Sequence, residues 1–451
     1  MKKRLVAVSL VLAMGLSLAA CGASDKGGAS DSSSSDGMIE LSFWHSADST
    51  VGEIVQKQID TFNETVGAER NIHVTGVFQD WPGTDALTAA MSTDDVENMP
   101  DVIQMYSEYV YLIRDWERTA WVEDFITSDD SSVKKEDLLS NAVSAYSLDG
   151  KMLGAPYAIS TLLLYYNQDL LSEAGYEEPP KTIDDMADVI TAVTEKTDAE
   201  YGLNARIQQF EFESFTATQG ENGTYFGNNE SGRSGYMTEL ACQKEIENYL
   251  DEWEKVIDTG GYKATKDSMN EEFAQGLNAM CLMSSTQIPT ITDLVGDSFE
   301  WGVTSIPKVN ENDIGGGFPS GSGLFMIDRG DEKKLEATWE FVQYMISPEA
   351  QSMWLDGYSY IPVNNTAAET DTYKAAVEAN PRLAAPYEIL SNAPSNMVQS
   401  FCPSSSGVND VIKNAMLNFA QGTATKEETY NEIVDGIQAE FDDYFRANPI
   451  E

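Results

Sequence analysis

Apolar and polar residues follow two different periods near the start of the chain. Residues 39–44 alternate between apolar and polar, which is typical of a strand with one buried face, and residues 72–78 repeat this pattern. Between them, residues 52–66 place five apolar side chains on one helical face: Ile54, Val55, Ile59, Phe62 and Val66. The order strand, helix, strand predicts the start of a parallel sheet covered by helices.

The run 159–166 is continuously apolar or aromatic, with Pro156 before it and the polar residues 167–169 after it. Such a run predicts a strand that is buried on both faces. A stretch of α/β pattern the size of a domain precedes the run. We therefore interpret it as the place where a two-lobed chain first passes from one lobe to the other.

Two later segments have the composition of further crossings. Residues 315–327 begin with three glycines and end in an apolar strand pattern. Glycine permits both the close approach of two backbones and the dihedral change of a hinge, although a plain surface turn is the alternative. Residues 396–407 are irregular and predict the third crossing, followed by two helices. The aromatic segment 206–225 shows no clear period and is also predicted to be irregular.

The first 37 residues predict an export signal and a tether. Three basic residues precede the apolar run 5–16, and small residues follow, which is typical of a secretory signal peptide over 1–20. Its end, Leu18-Ala-Ala-Cys21, resembles a bacterial lipoprotein signal, in which the cysteine (here Cys21) is the lipid anchor. An ordinary secretory signal with a chance cysteine is the alternative. Residues 21–37 have the Gly, Ser and Asp content of a flexible tether.

Acidic residues greatly outnumber basic ones, and this limits the classes of ligand. The sequence has 74 acidic and 28 basic residues, and loss of Lys2, Lys3 and Arg4 with the signal changes the formal net charge from −46 to −49. Such a field repels nucleic acid and anionic surfaces, and it weakens the case for a phosphate ligand. Because no second membrane-length apolar segment follows, we expect a soluble body at the extracytoplasmic face of the cell membrane.

Metal and disulfide chemistry have little support in the sequence. Beyond the anchor cysteine, Cys242 falls on a helical pattern, Cys281 in an apolar strand pattern and Cys402 in the third crossing. An odd number of cysteines in these contexts predicts buried free thiols rather than a disulfide framework. The two histidines, His45 and His73, have no metal-ligand spacing. We therefore expect no metal site and no cofactor.

Polar and aromatic residues cluster where the predicted strands end. In open α/β sheets, ligands bind at the carboxyl ends of strands. Carboxylates and hydroxyls suit the hydroxyl groups of a sugar, and aromatic faces suit its C–H faces. Core packing is the alternative for each aromatic residue, most of all for Trp44. The strand-end candidates are Trp44, His45, Asp80, Trp81, Ser107, Glu108, Ser284 and Ser285.

Seven short stretches, in order and over 39–445, resemble the extracellular solute-binding proteins of ABC importers, a family of sugar-binding lipoproteins. Within that family the chain is most similar to the glycerol-3-phosphate binders and more distantly similar to the maltose binders. The stretches are Phe43-Trp-His-Ser46, Val102-Ile-Gln-Met-Tyr106, Ser160-Thr-Leu-Leu-Leu-Tyr-Tyr-Asn167, Pro180-Lys-Thr182, Gly276-Leu-Asn-Ala-Met280, Gly321-Ser-Gly-Leu324 and Gly357-Tyr-Ser-Tyr-Ile-Pro362.

The resemblance implies an α/β, two-lobed periplasmic-binding-protein type II fold with three interlobe crossings and a ligand between the lobes. Together with the crossings above, it predicts an N-terminal lobe of 38–157 plus 323–395 and a C-terminal lobe of 158–322 plus 396–451. It also implies a monomeric protein without enzymatic activity. Closure around the ligand would create the surface that the permease subunits of an ABC transporter recognise.

The resemblance also implies a set of ligand contacts. Matched by motif, the contacts of the glycerol-phosphate binders fall at or near positions 81–83, 107–108, 160, 285, 321 and 360. Adjacent polar residues and one basic residue, Arg206, complete the predicted site. The residues that this adds to the strand-end candidates are Gly83, Ser160, Thr161, Arg206, Gly321, Ser322 and Tyr360.

One departure from the family pattern decides the predicted ligand. The glycerol-phosphate binders have an arginine on the third crossing, whereas residues 397–411 of this chain contain no basic residue. A buried phosphate would lack its bidentate partner there. We therefore predict a neutral sugar or oligosaccharide. Glycerol-3-phosphate or a glycerophosphodiester is the alternative, with Arg206 as the substitute cation.

A surface-anchored glycoside hydrolase is the alternative from another class. Such enzymes use two carboxylates, and a chain with 74 acidic residues can supply a suitable pair. The sequence has, however, no Gly-x-Ser-x-Gly elbow and no phosphate-binding Gly-Lys-Ser/Thr loop. The family resemblance therefore favours a binding protein with no catalytic residues.

Overall fold

The computed structural model describes residues 37–80 and 83–450, and only the backbone of Glu108. The predicted signal peptide, the anchor Cys21, the tether up to residue 36 and Trp81 lie outside the described residues, so what was predicted for them stays a prediction. In the described part of the chain, no helix combines the length and the apolar character that crossing a membrane requires.

Short strands alternate with helices along the described chain, as the sequence pattern predicts for an α/β fold. The strands are β1 (Ile39–His45), β2 (Ile72–Phe78), β3 (Val102–Tyr106), β4 (Thr119–Ala120), β5 (Ser147–Leu148), β6 (Lys151–Met152), β7 (Ala155–Ser160), β8 (Leu162–Asn167), β9 (Tyr201–Asn204), β10 (Tyr262–Lys263), β11 (Asn278–Ser284), β12 (Trp301–Ser305) and β13 (Ser320–Ile327).

Helices cover the sheets and form most of the C-terminal part of the chain. They are α1 (Ser49–Glu64), α2 (Val66–Arg70), α3 (Asp85–Thr93), α4 (Val122–Ile126), α5 (Ser140–Ala145), α6 (Gln168–Ala174), α7 (Ile183–Lys196), α8 (Gln209–Ala217), α9 (Asn228–Gly232), α10 (Gln243–Asp258), α11 (Met269–Ala274), α12 (Ile288–Val295), α13 (Glu332–Met345), α14 (Pro348–Ser352), α15 (Asp371–Ala379), α16 (Ala384–Asn392), α17 (Ser405–Ala420) and α18 (Lys426–Ala447).

The first sheet has the strand order β2-β1-β3-β13-β4, and β7 also pairs with β13. Strand β1 is parallel to β2 and β3, with Ile39 opposite Ile72, which confirms the parallel start predicted from the sequence. Strand β13 is antiparallel to β3, β4 and β7. Helix α1 buries Ile54, Val55, Ile59 and Phe62 of its predicted apolar face, whereas Val66 begins α2. The ring of Phe62 lies 5.1 Å from that of Phe341 in α13.

The second sheet has the strand order β10-β9-β11-β8-β12. Strands β10, β9 and β11 are parallel, so their carboxyl ends meet at one edge of the sheet, whereas β8 is antiparallel to β11 and β12. Helix α7 packs beside β9, and α10 packs on α7. Cys242, Cys281 and Cys402 are buried in the cores around this sheet, and none of the three forms a disulfide within the described residues, as predicted.

The chain passes between the two sheets three times, in agreement with the predicted fold class. The first passage is at Thr161, between β7 in the first sheet and β8 in the second. The prediction of one strand over 159–166 is therefore wrong, because a run that is buried throughout has the same pattern in one strand or two. The second passage joins β12 to β13. The third lies between Phe401, in the first core, and Cys402, in the second.

Several element boundaries differ from the predicted ones by a few residues. Residues 158–160 and 320–322, predicted to belong to the C-terminal lobe, pair with one another in the first sheet. Helix α17 begins at Ser405, inside the segment predicted to be irregular. From the predicted N-terminal lobe, Leu383 packs in a core with Tyr165 and Trp301 of the second sheet. The exact division into lobes stays a prediction.

Helix α8 occupies residues that were predicted to be irregular. Apart from Phe210, every residue from Gln209 to Ala217 is buried. A helix that is buried on all sides has no polar face, so its sequence lacks the period that identifies a surface helix. This helix also buries two carboxyl groups, those of Glu211 and Glu213.

Candidate functional site

Strands β7 and β13 approach each other closely at Gly321. This residue has φ of +131°, and a Cβ atom there would collide with the carbonyl oxygen of Ala158. Only glycine fits this position, as the sequence suggested for the glycine-rich segment. The close approach places Ser320 opposite Ser160 and Ser322 opposite Tyr106.

Polar side chains from the three passages and the adjacent strand ends form one connected group, which we call the crossing cluster. Its centre is Gln399, whose Oε1 accepts hydrogen bonds from Ser107 Oγ at 3.2 Å and Ser320 Oγ at 2.9 Å. Ser160 Oγ donates to the carbonyl oxygen of Ser320 at 3.4 Å. The members of the crossing cluster are Ser107, Ser160, Thr161, Ser285, Ser320, Ser359 and Gln399.

The first passage and the end of β11 are joined within this cluster. Thr161 N donates to Ser285 Oγ at 3.3 Å, and Ser285 N donates to the Thr161 carbonyl oxygen at 2.8 Å. Ser359 Oγ donates to the carbonyl oxygen of Ser285 at 2.7 Å. The Oγ1 atom of Thr161 is buried and has no hydrogen-bond partner within the described residues.

A chain of hydroxyl groups leads from the first sheet to the second. Tyr360 bonds to both Tyr106 and Tyr358, and Tyr358 bonds also to Thr286. Thr286 Oγ1 in turn donates to Ser284 Oγ at 3.0 Å. Burial raises the pKa of Tyr360 far above its usual value, so its hydroxyl remains a hydrogen-bond donor. We call these five residues the tyrosine chain.

A cavity of about 320 Å³ lies at the carboxyl ends of β9, β10 and β11. Arg206 follows β9, Lys266 follows β10, and Ser284 ends β11, so three parallel strands each contribute a polar residue. Arg206 Nη2 donates to Gln208 Oε1 at 2.8 Å, whereas Arg206 Nε is buried without a partner in the described chain. Ser284 connects this cavity to the tyrosine chain.

The charged groups of this cavity influence one another. Burial raises the pKa of the Glu211 carboxyl to about 7, although Lys266 and Arg206 oppose the rise. Burial also lowers the pKa of Lys266, against the attraction of Glu211. The lining of this cavity therefore combines two cations, Arg206 and Lys266, with two acidic residues, Glu211 and Glu271, and the raised pKa of Glu211 reduces its negative charge near pH 7.

The predicted rim of the first sheet is only partly described. Gly83 has φ of +82° and packs on Ser46, so the loop after β2 does meet the end of β1, while Asp80 is exposed. Trp44 is half-buried and packs against the first core. Trp81 and the side chain of Glu108 lie outside the described part.

His45 has the surroundings of a core residue. Its ring lies 5.4 Å from that of Phe43 and 6.3 Å from that of Phe78, and its Nδ1 accepts from Ala47 N at 3.3 Å. Burial lowers the pKa of His45, so the ring is neutral near pH 7. A ligand contact by His45 stays a prediction.

The structure brings seven of the fifteen predicted site residues into connected groups. Ser107, Ser160, Thr161 and Ser285 belong to the crossing cluster, Ser284 and Tyr360 to the tyrosine chain, and Arg206 to the cavity. Ser322 accepts a hydrogen bond from Gln104 Nε2 at 2.7 Å beside Gly321. Sequence reasoning missed several members of these groups, among them Gln399, Ser320, Ser359, Tyr358, Thr286 and Lys266.

Comparison with known proteins identifies the family. Residues 57–381 match the family model for bacterial extracellular solute-binding proteins. The chain belongs to this family. Its members are binding proteins that work with ABC transporter permeases, and the chain is accordingly the solute-binding protein of an ABC importer.

Individual relatives extend over most of the chain. The sn-glycerol-3-phosphate-binding periplasmic protein of Pectobacterium atrosepticum is 26% identical over 358 residues, which cover 76% of this chain and 77% of the relative. The sugar-binding protein MalE of Xanthomonas citri superposes with a TM-score of 0.73 at 19% identity, over 91% of this chain and 100% of its own. The cyclic α-maltosyl-1,6-maltose binding protein of Arthrobacter globiformis superposes with a TM-score of 0.72 at 19% identity, over 90% of this chain and 100% of its own. These structures establish the fold.

Proposed function

We propose that this solute-binding protein takes up a neutral sugar or oligosaccharide at the crossing cluster and the tyrosine chain. One observation carries the proposal: the third passage presents the neutral amide of Gln399 to Ser107 and Ser320, and residues 397–411 contain no cation. Hydroxyl groups and amides both donate and accept hydrogen bonds, as the hydroxyl groups of a sugar require.

The cation closest to this passage supports a neutral ligand as well. Arg233 lies beneath the ring of Phe401, at 4.1 Å from its centroid. Its Nε donates to the carbonyl oxygen of Ser144, and its Nη2 donates to those of Ala145 and Gln399. Most of its donors are therefore used by the backbone rather than offered to an anion.

The second candidate ligand is glycerol-3-phosphate or a glycerophosphodiester. It is favoured by the cavity that holds Arg206 and Lys266, since Arg206 Nε is buried there without a partner in the described chain. The names of the sequence relatives, which bind sn-glycerol-3-phosphate, favour it too. The distinction between the two candidates therefore depends on whether Arg206 or Gln399 dominates binding.

A thermal-shift panel on residues 38–451, which form one compact unit, tests both candidates. The panel contains maltose, maltotriose, glycerol, glycerol-3-phosphate and glycerophosphocholine. A ligand at a hundred times its dissociation constant stabilises the folded state by about 2.7 kcal/mol. We expect a raised Tm with a neutral saccharide, with the stabilisation reduced by about half in Gln399→Ala, for tenfold weaker binding, and retained in the matched variant Arg206→Gln. A shift by the phosphate compounds alone, lost in Arg206→Gln, would establish the second candidate instead.

We further propose that the mature protein is a monomer, held at the extracytoplasmic face through a lipid on Cys21. The support is the signal pattern of 1–21 and the family, which is extracellular. Wild-type protein expressed in a bacterial host should incorporate labelled palmitate, and Cys21→Ser should not, because it lacks the acceptor thiol. Labelling of Cys21→Ser equal to that of the wild type would contradict the anchor.

The absence of catalysis is also part of the proposal, and it has a direct test. Incubation of the purified body with fluorescently labelled maltotriose should return the intact saccharide. Release of shorter labelled products, scaling with protein concentration, would instead favour the glycoside hydrolase alternative.

A further inference from the structure

Two buried charged side chains, Arg233 and Glu213, contact the consecutive residues 399–401 of the third passage. Neither side chain belongs to the proposed site. Arg233 Nη2 donates to the carbonyl oxygen of Gln399, and the guanidinium stacks on Phe401. The other donors of Arg233 reach Ser144 and Ala145 at the end of α5, at 3.0 and 3.2 Å. Arg233 therefore ties the third passage to the first core.

Glu213 of α8, which lies in the second core, binds Ser400, the residue between Gln399 and Phe401. Its carboxylate accepts from Ser400 N at 2.9 Å and from Ser400 Oγ at 2.8 Å, and Gln209 Nε2 donates to it at 2.6 Å. Glu213 is 1% exposed and Arg233 is 6% exposed. Both charges are therefore withdrawn from water. Residues 399–401 supply two of the three hydrogen bonds to Glu213 and accept one of the three from Arg233.

The turn that precedes Arg233 has an unfavourable backbone conformation. Asn229, Glu230 and Ser231 all have left-handed dihedral angles, with φ of 53°, 56° and 55°. Non-glycine residues avoid this region, because Cβ crowds the backbone there. The turn is held to the third passage by the bond from Phe401 N to the carbonyl oxygen of Ser231, at 3.0 Å.

Stability alone does not account for this arrangement. Arg233 Nη1 is buried and has no hydrogen-bond partner within the described residues. A buried donor without a partner destabilises the folded state, and a buried charge is commonly less stabilising than apolar residues of similar volume. The geometry instead fixes the one segment that carries Gln399.

We propose that Arg233 and Glu213 are positioning residues for the ligand site. They hold residues 399–401 between the two cores, so that the side-chain amide of Gln399 faces Ser107 and Ser320. Neither charged side chain belongs to the crossing cluster, so each acts on affinity through Gln399. The inference rests on the proposed function, since it names what sets the geometry of that same site.

A double-mutant cycle between Arg233 and Gln399 tests the inference. Arg233→Lys keeps the charge but loses the planar fork that reaches three carbonyl oxygens. With maltotriose as the calorimetric probe, we expect Arg233→Lys and Gln399→Ala each to weaken binding about tenfold, as for loss of one charge-assisted hydrogen bond. The double variant should bind like Gln399→Ala alone, because Arg233 acts through that amide. Fully additive losses would overturn the proposal.

A matched control separates positioning from general damage. Arg382 stacks on Trp301 at 4.0 Å and donates Nε and Nη2 to the Trp301 carbonyl oxygen, so Arg382→Lys removes a similar fork elsewhere. We expect the affinity of Arg382→Lys to stay within twofold of that of the wild type. A tenfold loss in this control would also contradict the proposal.

Hydrogen exchange on the ligand-free body provides a test that does not depend on the probe. Arg233→Lys should speed amide exchange in the peptide 397–404, which contains the N–H groups of Ser400 and Phe401, while Arg382→Lys should not. If maltotriose fails to bind the wild type, maltotriose is not the ligand, and exchange still decides the positioning role. Unchanged exchange in Arg233→Lys would overturn that role.

Discussion

Glu211 shows at the scale of one residue how burial controls the chemistry of the second-sheet cavity. Its carboxyl has a pKa of about 7, raised by burial, against roughly 4.3 for a glutamate in water. Because the folded state holds the proton more tightly than the unfolded chain, the folded state is penalised once the carboxyl must ionise. This penalty is absent below the unfolded pKa, grows as the pH rises from about 4 to about 7, and is complete above that range.

Glu211→Gln should therefore stabilise the protein at high pH only. Glutamine keeps the acceptor that Gln208 N uses and removes the charge. We expect the free energy of unfolding to rise by up to about 3 kcal/mol at pH 8 and to be unchanged at pH 4, measured by urea denaturation. Glu221→Gln, at an exposed position, should have no effect at either pH. An equal gain at both pH values for Glu211→Gln would contradict the role of ionisation.

Residues at the ends of strands were predictable, whereas residues in irregular segments were not. Ser107, Ser284 and Ser285 follow buried strands, and the sequence marks the end of a buried strand clearly. Gln399 has no such signal, because its two donors, Ser107 and Ser320, are 292 and 79 positions away. The importance of this amide depends on tertiary contacts that no local pattern encodes.

At the scale of elements, the pairing of β7 with β13 holds the first two passages together. The pair brings Ser160 opposite Ser320, and its closest approach is at Gly321, where no side chain fits. A substitution there must strain the backbone and also separate the two strands. The geometry of the crossing cluster therefore depends on this glycine.

Gly321→Ala should destabilise the protein much more than Gly330→Ala. Both glycines have positive φ, but the position of a Cβ at Gly330 is open space, whereas at Gly321 it meets Ala158. We expect a loss of about 1 kcal/mol for Gly330→Ala, from the backbone conformation alone, and of about 3 kcal/mol or more for Gly321→Ala. Guanidinium denaturation measures both. Equal losses of unfolding free energy in the two variants would mean that separating β7 from β13 does not destabilise the fold.

The sequence predicted elements with one buried face and failed for those buried throughout. The face of α1 and the parallel pair β1 and β2 were correct, because alternation between core and water leaves a period in the sequence. The passage at Thr161 and helix α8 are buried on almost all sides, so that period disappears. The break between β7 and β8 and helix α8 could therefore not be predicted from periodicity.

At the scale of the whole molecule, we expect the three passages between the sheets to allow an open and a closed arrangement. Residues of the crossing cluster and the tyrosine chain come from both sheets, so a solute bound among them contacts both sides at once. A ligand shifts an equilibrium between open and closed forms only by as much as it binds one form better than the other. Contacts to both sides supply that difference, and the glycine-rich second passage permits the necessary dihedral change.

Small-angle X-ray scattering should therefore show compaction on binding. We expect a saturating saccharide, chosen as one that raises Tm, to lower the radius of gyration of residues 38–451. A saccharide that gives no thermal shift serves as the matched control and should leave the radius unchanged. The buffer needs about 0.15 M salt, where the screening length is roughly 8 Å, because repulsion between strongly acidic molecules otherwise distorts the scattering. Calorimetric saturation without compaction would mean that the solute binds to one preformed arrangement, and that the passages act as fixed connections rather than hinges.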